Sequence, residues 1–518
     1  MFMKDISIYT KEIQSTNDRF WAASGLDDLY PITYSGQGEF FMQRAQKKGT
    51  CKYARNHHTL SKETRYGYLR CGGEVYSEDE NGNPVYDFEY INGVYKRLLA
   101  HGIKPIVELD FLPEKLKGSS GNVTQEGTDE KQFNRFCPNN WDKWRALLEA
   151  FMKNLVEQFG LEELRTWYFE VWNEPDNWPI AAWDMFFKLY DVFVDVVTSV
   201  DDKLRVGGPG CYQQYFLFPF LEHVANGTNY VTGKKGTRID FVSFHIYGTS
   251  GAWLKEYPLV IPTVQKFSFE IERVRGMMKK YLPNRNTEFL LNEWGVISNY
   301  ERSVGDFPIL ELRNSEYSAL FMTKLADTVL EHRHYYNFNI SMMVYWGYAN
   351  EDFFGTLFNG NRSLTTKYNI CKPIQTAHEF FSLLGKNFVK TNVMAGGDDG
   401  VIAAADENGA QALLYYFNEF DADKKFPSRE YNVHFADLAD GKYLLKVYTM
   451  DDTHNNTYRL WQRMGSPTEP TEKQLKQLHA EQDVTADTEK EIVVKNGKFD
   501  YTTSLSSVSM KLISLKKL

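Results

Sequence analysis

Cysteine is scarce in this 518-residue chain: Cys51, Cys71, Cys137, Cys211 and Cys371 are odd in number and far apart. With no CxxC pair among them, neither a disulfide framework nor a zinc site is expected. Long apolar runs are also missing. No stretch reaches the ~18 residues of a membrane-spanning helix, and the opening MFMKDISIYTKEIQ has no apolar signal-peptide core. A cytoplasmic location is therefore expected, with a removed leader for periplasm or secretion left open, and no membrane partner. Positive charge is in deficit: 59 Lys and Arg face 68 Asp and Glu, a net charge of −9. A nucleic-acid partner, which would favour a basic surface, is not expected. The chain also lacks the GxGxxG turn of a dinucleotide-binding fold.

What the chain has is length and aromatic rings. A barrel of about 250 to 350 residues plus a smaller domain would fill it. Aromatic residues make up 15%. They serve either large cores or sugar binding, since the C–H face of a pyranose stacks on a ring. Short apolar, β-prone runs recur at 19–23, 52–56, 104–109, 167–172, 204–208, 239–245, 288–292 and 341–346. Amphipathic helical patterns fall at 91–101, 141–159, 182–200, 264–281 and 315–332. Near-continuous apolar strands alternating with helices suggest a (β/α)8 TIM barrel over 16–387. From residue 388 the runs become strand-like with turns between them, which predicts a C-terminal β-sandwich over 388–518. Residues 466–490 are a polar excursion, with a surface helix starting at Pro470 and its charges read as a solvated face. Residues 1–15 precede the barrel and could complete the sandwich.

Two segments carry chemistry. In FEVWNEPD (169–176), Glu174 follows an apolar strand and Pro175 ends it. A carboxylate at a barrel strand's C-terminal end faces the active-site mouth, and partial desolvation beside Trp172 would raise its pKa, as a general acid needs. Asn173 can donate a hydrogen bond to a sugar hydroxyl. In FLLNEWG (289–295), Glu293 also follows an apolar strand, with Trp294 beside it and Gly295 opening a turn. These are the fourth and seventh barrel strands, so the two carboxylates would face each other across the mouth. Glycoside hydrolysis needs such a pair: one protonates the leaving oxygen, the other attacks the anomeric carbon or activates water. Their separation decides between retention and inversion, and sequence does not give it. At other strand ends stand His57 and His58, His245 and Tyr247, Tyr345 and Trp346, with Asn350, Glu351 and Asp352 beyond. Together they form a rim of stacking rings and hydroxyl-binding groups. No close-spaced His/Asp set suggests a metal.

Beyond WNEPD, the wider sequence resembles glycoside hydrolase family 39, the β-xylosidase and α-L-iduronidase family. KYARNHHTLS (52–61) is similar to the family's Arg-Gly-His segment, and KPIVELDFLPEKL (104–116) and GNVT (121–124) to its third strand and following loop. RTWYFEVWNEPD (165–176), VGGPG (206–210) and DFVSFHIYG (240–248) resemble its fourth to sixth strands. KPIQTAHEFFSLLG (372–385) is similar to its closing helix, and RMGSPTEPTEKQLKQL (463–478) to a segment of the β-xylosidase branch. Membership implies a barrel followed by a β-sandwich, and a retaining mechanism without metal or other cofactor. It implies Glu174 as acid/base, Glu293 as nucleophile, Asn173 on the sugar 2-hydroxyl, and His57 and His245 in the pocket. The sequence departs from the family at several points. Arg55-Asn56-His57 replaces Arg-Gly-His, Asn292-Glu293-Trp294-Gly295 replaces Thr-Glu-Tyr-Asn, and Asn350 stands where β-xylosidases tend to have Asp. Tyr247 occupies the position where the iduronidase branch has a Lys for the substrate carboxylate. The expected substrate is therefore a neutral pentoside such as a β-D-xyloside, cleaved from an end. Substrate-binding residues are expected to be Asn173, His57, His58, His245, Tyr247, Trp294, Trp346 and Glu351. Another sugar, an endo-acting polysaccharide hydrolase and a carbohydrate-binding pseudo-enzyme are the alternatives, and homo-oligomerisation is left open.

Overall fold

The computed structural model describes residues 3–27, 29, 36–65, 68–71, 73–118, 137–249, 261–283, 286–298, 303–305, 307–347, 356–420 and 426–518. Eight parallel strands close into a barrel: β2 (Ala23–Leu26), β3 (Tyr53–Asn56), β4 (Lys104–Leu109), β5 (Tyr168–Val171), β6 (Arg205–Cys211), β7 (Phe241–Thr249), β8 (Glu288–Ile297) and β9 (Ile340–Tyr345). Each is followed by a helix, namely α1 (Gly36–Lys48), α2 (Glu89–Ala100), α3 (Trp141–Phe159), α4 (Trp183–Val200), α5 (Gln214–Asn226), α6 (Val264–Tyr281), α7 (Glu316–Tyr335) and α8 (Pro373–Ser382). The strands are buried on both faces, as in a parallel sheet roofed by helices. Inward-facing Ala23, Ile106, Tyr168, Phe241, Leu290, Met342 and Val344 fill the barrel's interior. Outward-facing neighbours such as Val107, Phe169, Val242 and Leu291 pack with the helices in the main core.

Side-chain alternation with period two decides what reaches the mouth. On β7, Ser243, His245 and Tyr247 share the inner face, while Phe244 and Ile246 join the outer core. Between β7 and β8 the pairing steps from Phe244–Leu291 to His245–Glu293. Asn292 is thus an extra residue on β8, a bulge of the kind that re-aims side chains.

Several strand ends differ from the sequence reading: the fifth and sixth barrel strands run on to Cys211 and Thr249, and two further differences bear on the site. The first barrel strand begins at Ala23, after the apolar Phe20-Trp21-Ala22. It is Ala-Ser-Gly-Leu, small because the Trp346 ring lies against Gly25, where a Cβ would come within 1.8 Å of it. The seventh continues to Ile297, so Glu293 and Gly295 lie within the strand and Gly295 opens no turn.

Apart from two short hairpins, Glu63–Arg65 with Tyr68–Cys71 and Tyr76–Glu78 with Pro84–Tyr86, the remaining strands form one nine-stranded sheet in the order β15-β14-β17-β12-β11-β10-β1-β13-β16. Here β1 is Met3–Thr16, β10 Asn387–Thr391, β11 Asp399–Asp406, β12 Gly409–Tyr416 and β13 Arg429–Ala436; β14 is Gly441–Met450, β15 Thr488–Val494, β16 Phe499–Leu505 and β17 Ser509–Lys517. Only β1 and β13 pair in parallel. Tyr443, Leu445 and Val447 near one end share a core with Tyr431, Val433 and Phe435 near the other, so the sheet rolls over itself as a sandwich. Its other face, with Leu413, Tyr415, Phe417, Met510 and Leu512, joins the barrel core. Glu419, just after β12, supplements the Thr263 cap of α6, accepting from the Val264 N–H at 2.6 Å.

The polar excursion holds one helix, α10 (Glu472–Glu481), preceded by α9 (Thr457–Arg463). Helix α10 starts at Glu472 rather than Pro470, with Thr471 as its cap through a reciprocal box with Gln474. Nor is the excursion simply a solvated face: its Leu478 buries with Tyr458 and Trp461 of α9 against Leu357, Phe358 and Ile370 of the loop after β9. No helix among the described residues is long and apolar enough to cross a membrane.

Candidate active site

Charged residues embedded in apolar strands meet at the C-terminal mouth of the barrel. Arg55 on β3 is fully buried. Its Nη1 donates to Glu293 Oε1 at 2.8 Å and its Nη2 to Asn173 Oδ1 at 3.1 Å. It also pairs with Glu170 on β5 and Glu108 on β4. Burial is the largest influence on Glu108 and pushes its carboxyl up to about 8 despite Arg55. A carboxyl shifted in this direction takes up a proton more readily, which limits the cost of several buried carboxyls around one cation. Glu170 is further tied by Ser243 Oγ at 2.9 Å and by the bulged Asn292, whose Nδ2 lies 3.1 and 3.2 Å from its two oxygens.

Glu293 is held from two sides. Arg55 binds Oε1, and the Tyr247 hydroxyl donates to Oε2 at 2.9 Å. Tyr247 is backed by Arg362 Nη1 at 3.2 Å, and Arg362 is anchored on Asp27 at 2.6 Å. Only 5% of the Glu293 side chain is exposed, against 28% for Glu174.

Glu174 sits on a strained turn. Trp172 and Glu174 take positive φ angles of 69° and 49°, which non-glycine residues adopt at a cost of about 1–3 kcal/mol each. The Glu174 N–H donates to Gly210 O at 2.8 Å. Asp176 accepts from the Gln213 N–H at 2.8 Å, so the loops after β5 and β6 brace each other. The Glu174 carboxylate meets His245 Nδ1 at 3.1 Å and Asn177 Nδ2 at 3.0 Å. Burial raises its carboxyl above the usual range, opposed by His57, the Asn177 hydrogen bond and Arg55. His245 Nδ1 also lies 3.4 Å from Glu293 Oε2. Burial pushes this imidazole down to about 3, so it is neutral between two carboxylates. An oxygen of Glu174, an oxygen of Glu293 and a nitrogen of His245 all lie within 4.8 Å of one another.

The model of glycosyl hydrolases family 39 matches residues 18–498. The chain belongs to this family. It is an O-glycosyl hydrolase. A β-xylosidase of Geobacillus stearothermophilus is 25% identical over 466 residues, covering 85% of this chain and 82% of the relative. A human α-L-iduronidase is 22% identical, covering 90% and 72%. The crystal structure of a monomeric β-xylosidase from Caulobacter crescentus superposes with a TM-score of 0.79 at 26% identity, covering 99% of this chain and all of the other.

Of the residues singled out in the sequence of this family-39 hydrolase, Glu174, Glu293, Asn173, His57, His245 and Tyr247 converge. His57 Nδ1 meets Glu108 at 2.9 Å, and its Nε2 is 3.8 Å from Glu293. Its ring lies against Trp346, with centroids 4.6 Å apart. Trp346 hydrogen-bonds Asp27 at 2.9 Å and backs Arg55, a buried wall behind the site. Two residues fall elsewhere. His58 is buried on Ser61 and Phe111. Trp294, shifted by the bulge to the outer face, packs on Tyr345 in the helix layer. Asn350, Glu351 and Asp352 lie outside the described residues.

The fold assembles two carboxylate–imidazole groups that sequence spacing did not show: Glu174–His245–Glu293 and His57–Glu108–Asp110. In both, the carboxylate oxygens already carry donors. Asp110 accepts from the His58 and Thr59 N–H groups, each at 3.2 Å, and both Glu293 oxygens are engaged as described. Sequence reading missed Glu108, Glu170, Ser243, Asp27 and Arg362. The first two had a signal, an acidic residue inside an apolar parallel strand (KPIVEL, YFEV). The lone Asp27 and Arg362 had none.

Proposed function

We propose that this enzyme is an exo-acting retaining glycosidase for a neutral pentoside, a β-D-xyloside first, working by double displacement. Glu293 attacks the anomeric carbon while Glu174 gives its proton to the departing glycosidic oxygen, leaving a glycosyl ester on Glu293. Glu174, now a carboxylate, takes a proton from water. That water attacks the same carbon, displaces Glu293 and releases the sugar with its configuration retained.

The observation that carries this reading is the approach of the two carboxylates, with oxygens within 4.8 Å. Retaining pairs sit about 5–5.5 Å apart, whereas inverting pairs leave about 6.5–9.5 Å for a water. The surroundings support the division of labour. Donors on both oxygens hold the Glu293 carboxylate in one orientation, as a nucleophile needs. Glu174, raised by burial and bound by neutral partners, suits a proton donor. With Asn173 Oδ1 taken by Arg55, its Nδ2 remains to donate to the sugar 2-hydroxyl. Tyr247, where a uronate-binding cation would stand, favours a neutral sugar, and two relatives bear the name β-xylosidase. The test is a panel of nitrophenyl glycosides, with the first-formed anomer followed by NMR. Release from one neutral pentoside with retention is expected. Inversion, or turnover confined to uronides, would overturn the reading.

A further inference from the structure

One oxygen of Glu293 rests on a guanidinium and the other on a hydroxyl, and a hydroxyl is a rotor. The Tyr247 O–H carries a single hydrogen, which it can turn to any acceptor in reach. Burial and then Glu293 push this phenol well above its ordinary range, so the proton stays on Tyr247. What settles its direction lies on the far side of the phenolic oxygen. Arg362 Nη1 approaches that oxygen at 3.2 Å. A guanidinium only donates, so the tyrosine oxygen accepts there and its hydrogen goes to Glu293 Oε2 at 2.9 Å. Arg362 Nη1 also donates to Ser298 O at 3.3 Å, and Nη2 to Asp27 Oδ2 at 2.6 Å.

The members of this chain come from distant parts of the barrel. Asp27 follows β2, Tyr247 lies on β7, Glu293 on β8, and Arg362 on the loop after β9. Each is set by its backbone. Tyr247 pairs with Gly295 across β7 and β8. A Cβ at Gly295 would come within 3.1 Å of the Tyr247 ring, so this glycine, two residues past Glu293, clears the space that the ring occupies. The Arg362 carbonyl accepts from the Tyr345 hydroxyl at 2.8 Å. Next to it, Gly360 O accepts from Arg313 Nη1 at 3.0 Å and Asn361 O from Lys372 Nζ at 2.8 Å. Asp27 Oδ1 accepts from the Trp346 indole at 2.9 Å. Burial works against the Arg362 charge, but Asp27 first, then Tyr247 and Glu293, hold it above the ordinary arginine range. Asp27 also offsets that charge. Arg362 therefore gives direction to the hydroxyl without adding a second unopposed cation beside Arg55, which would stabilise the carboxylate before it attacks.

We propose that Arg362, held by Asp27, is a positioning residue for the nucleophile: it pins the Tyr247 hydroxyl with its hydrogen on Glu293 Oε2, so that the carboxylate meets the anomeric carbon in one orientation. The proposal rests on the assignment of Glu293 as nucleophile. Without the guanidinium the hydroxyl is free to turn, and Oε2 loses its fixed donor.

The experiment reads the attack of Glu293 alone. A 2-deoxy-2-fluoro-β-xyloside with a dinitrophenyl leaving group needs no proton from Glu174, and its inactivation kinetics separate reagent binding from covalent attack. In Arg362→Gln the attack rate is expected to fall about tenfold, with the binding constant within about twofold of wild type. The second arm repeats the substitution in Tyr247→Phe. There it should change the rate by less than about twofold, because the hydroxyl through which it acts is gone. A general structural role, or a direct contact of Arg362 with the sugar, would cost the same factor in both backgrounds. That result, or an attack rate unchanged by Arg362→Gln, would overturn the proposal. If Arg362→Gln does not fold, Arg362→Lys is read in the same cycle, since it keeps a charge for Asp27 without the planar fork that serves Asp27 and Tyr247 together. A wild-type label on a residue other than Glu293 would overturn the nucleophile assignment itself, and this proposal with it.

Discussion

The two sides of the barrel mouth carry the same functional group in opposite surroundings. On the β8 side, Glu293 is nearly enclosed, with an arginine on one oxygen and a tyrosine hydroxyl on the other. Arg362 and Asp27 stand behind that tyrosine. On the β5 side, Glu174 is more open, sits on a strained left-handed turn and touches a neutral histidine and an amide. One set of neighbours holds a carboxylate in a fixed orientation. The other, through burial, favours a carboxyl that keeps its proton and can give it up. In the proposed scheme donors and desolvation divide the roles, since the residue type is the same.

The sharpest break of this contrast is Glu293→Ala, expected to lower kcat by about 10⁵-fold or more. Added azide should restore turnover by forming a glycosyl azide of inverted configuration. Retention of most of the wild-type rate would dissolve the distinction. Glu174→Gln should cost about 10²–10⁴-fold on a disaccharide and far less on a dinitrophenyl glycoside, whose leaving group needs no proton. An equal loss on both substrates would remove its role as acid. Tyr247→Phe deletes one charged hydrogen bond and should lower kcat about 10- to 100-fold, with the fold intact by circular dichroism. The smallest effect concerns pH alone. The Asn177 hydrogen bond lowers the Glu174 carboxyl, so Asn177→Ala should raise it. The rate falls when Glu174 loses its proton, so the alkaline limb of kcat/KM should move to higher pH. A limb moving to lower pH would show that the amide acts otherwise.

Much of this was legible in the sequence where a signal was local. Apolar runs alternating with amphipathic helices placed the barrel, and acidic residues after apolar strands marked Glu174 and Glu293. What escaped depended on non-local packing. The bulge at Asn292 turns Trp294 outward, although simple adjacency to Glu293 suggested a pocket wall. The first strand reads weakly because its residues are small to admit Trp346, which lies 321 positions further on at the end of β9. His58 and His57 are neighbours in sequence, yet only His57 faces the carboxylates, because φ of 62° at His58 turns the chain there. Glu108 and Glu170 lay in plain view as charges within hydrophobic strands. Their meaning emerges only when Arg55 is seen between them.

The central claim, that the enclosed carboxylate is the nucleophile, is tested most directly by trapping the intermediate. A 2-deoxy-2-fluoro xyloside with a dinitrophenyl leaving group should inactivate the enzyme and leave one fluoro-sugar mass on the peptide containing Glu293. A label on Glu174, or turnover with inversion and no covalent adduct, would contradict it.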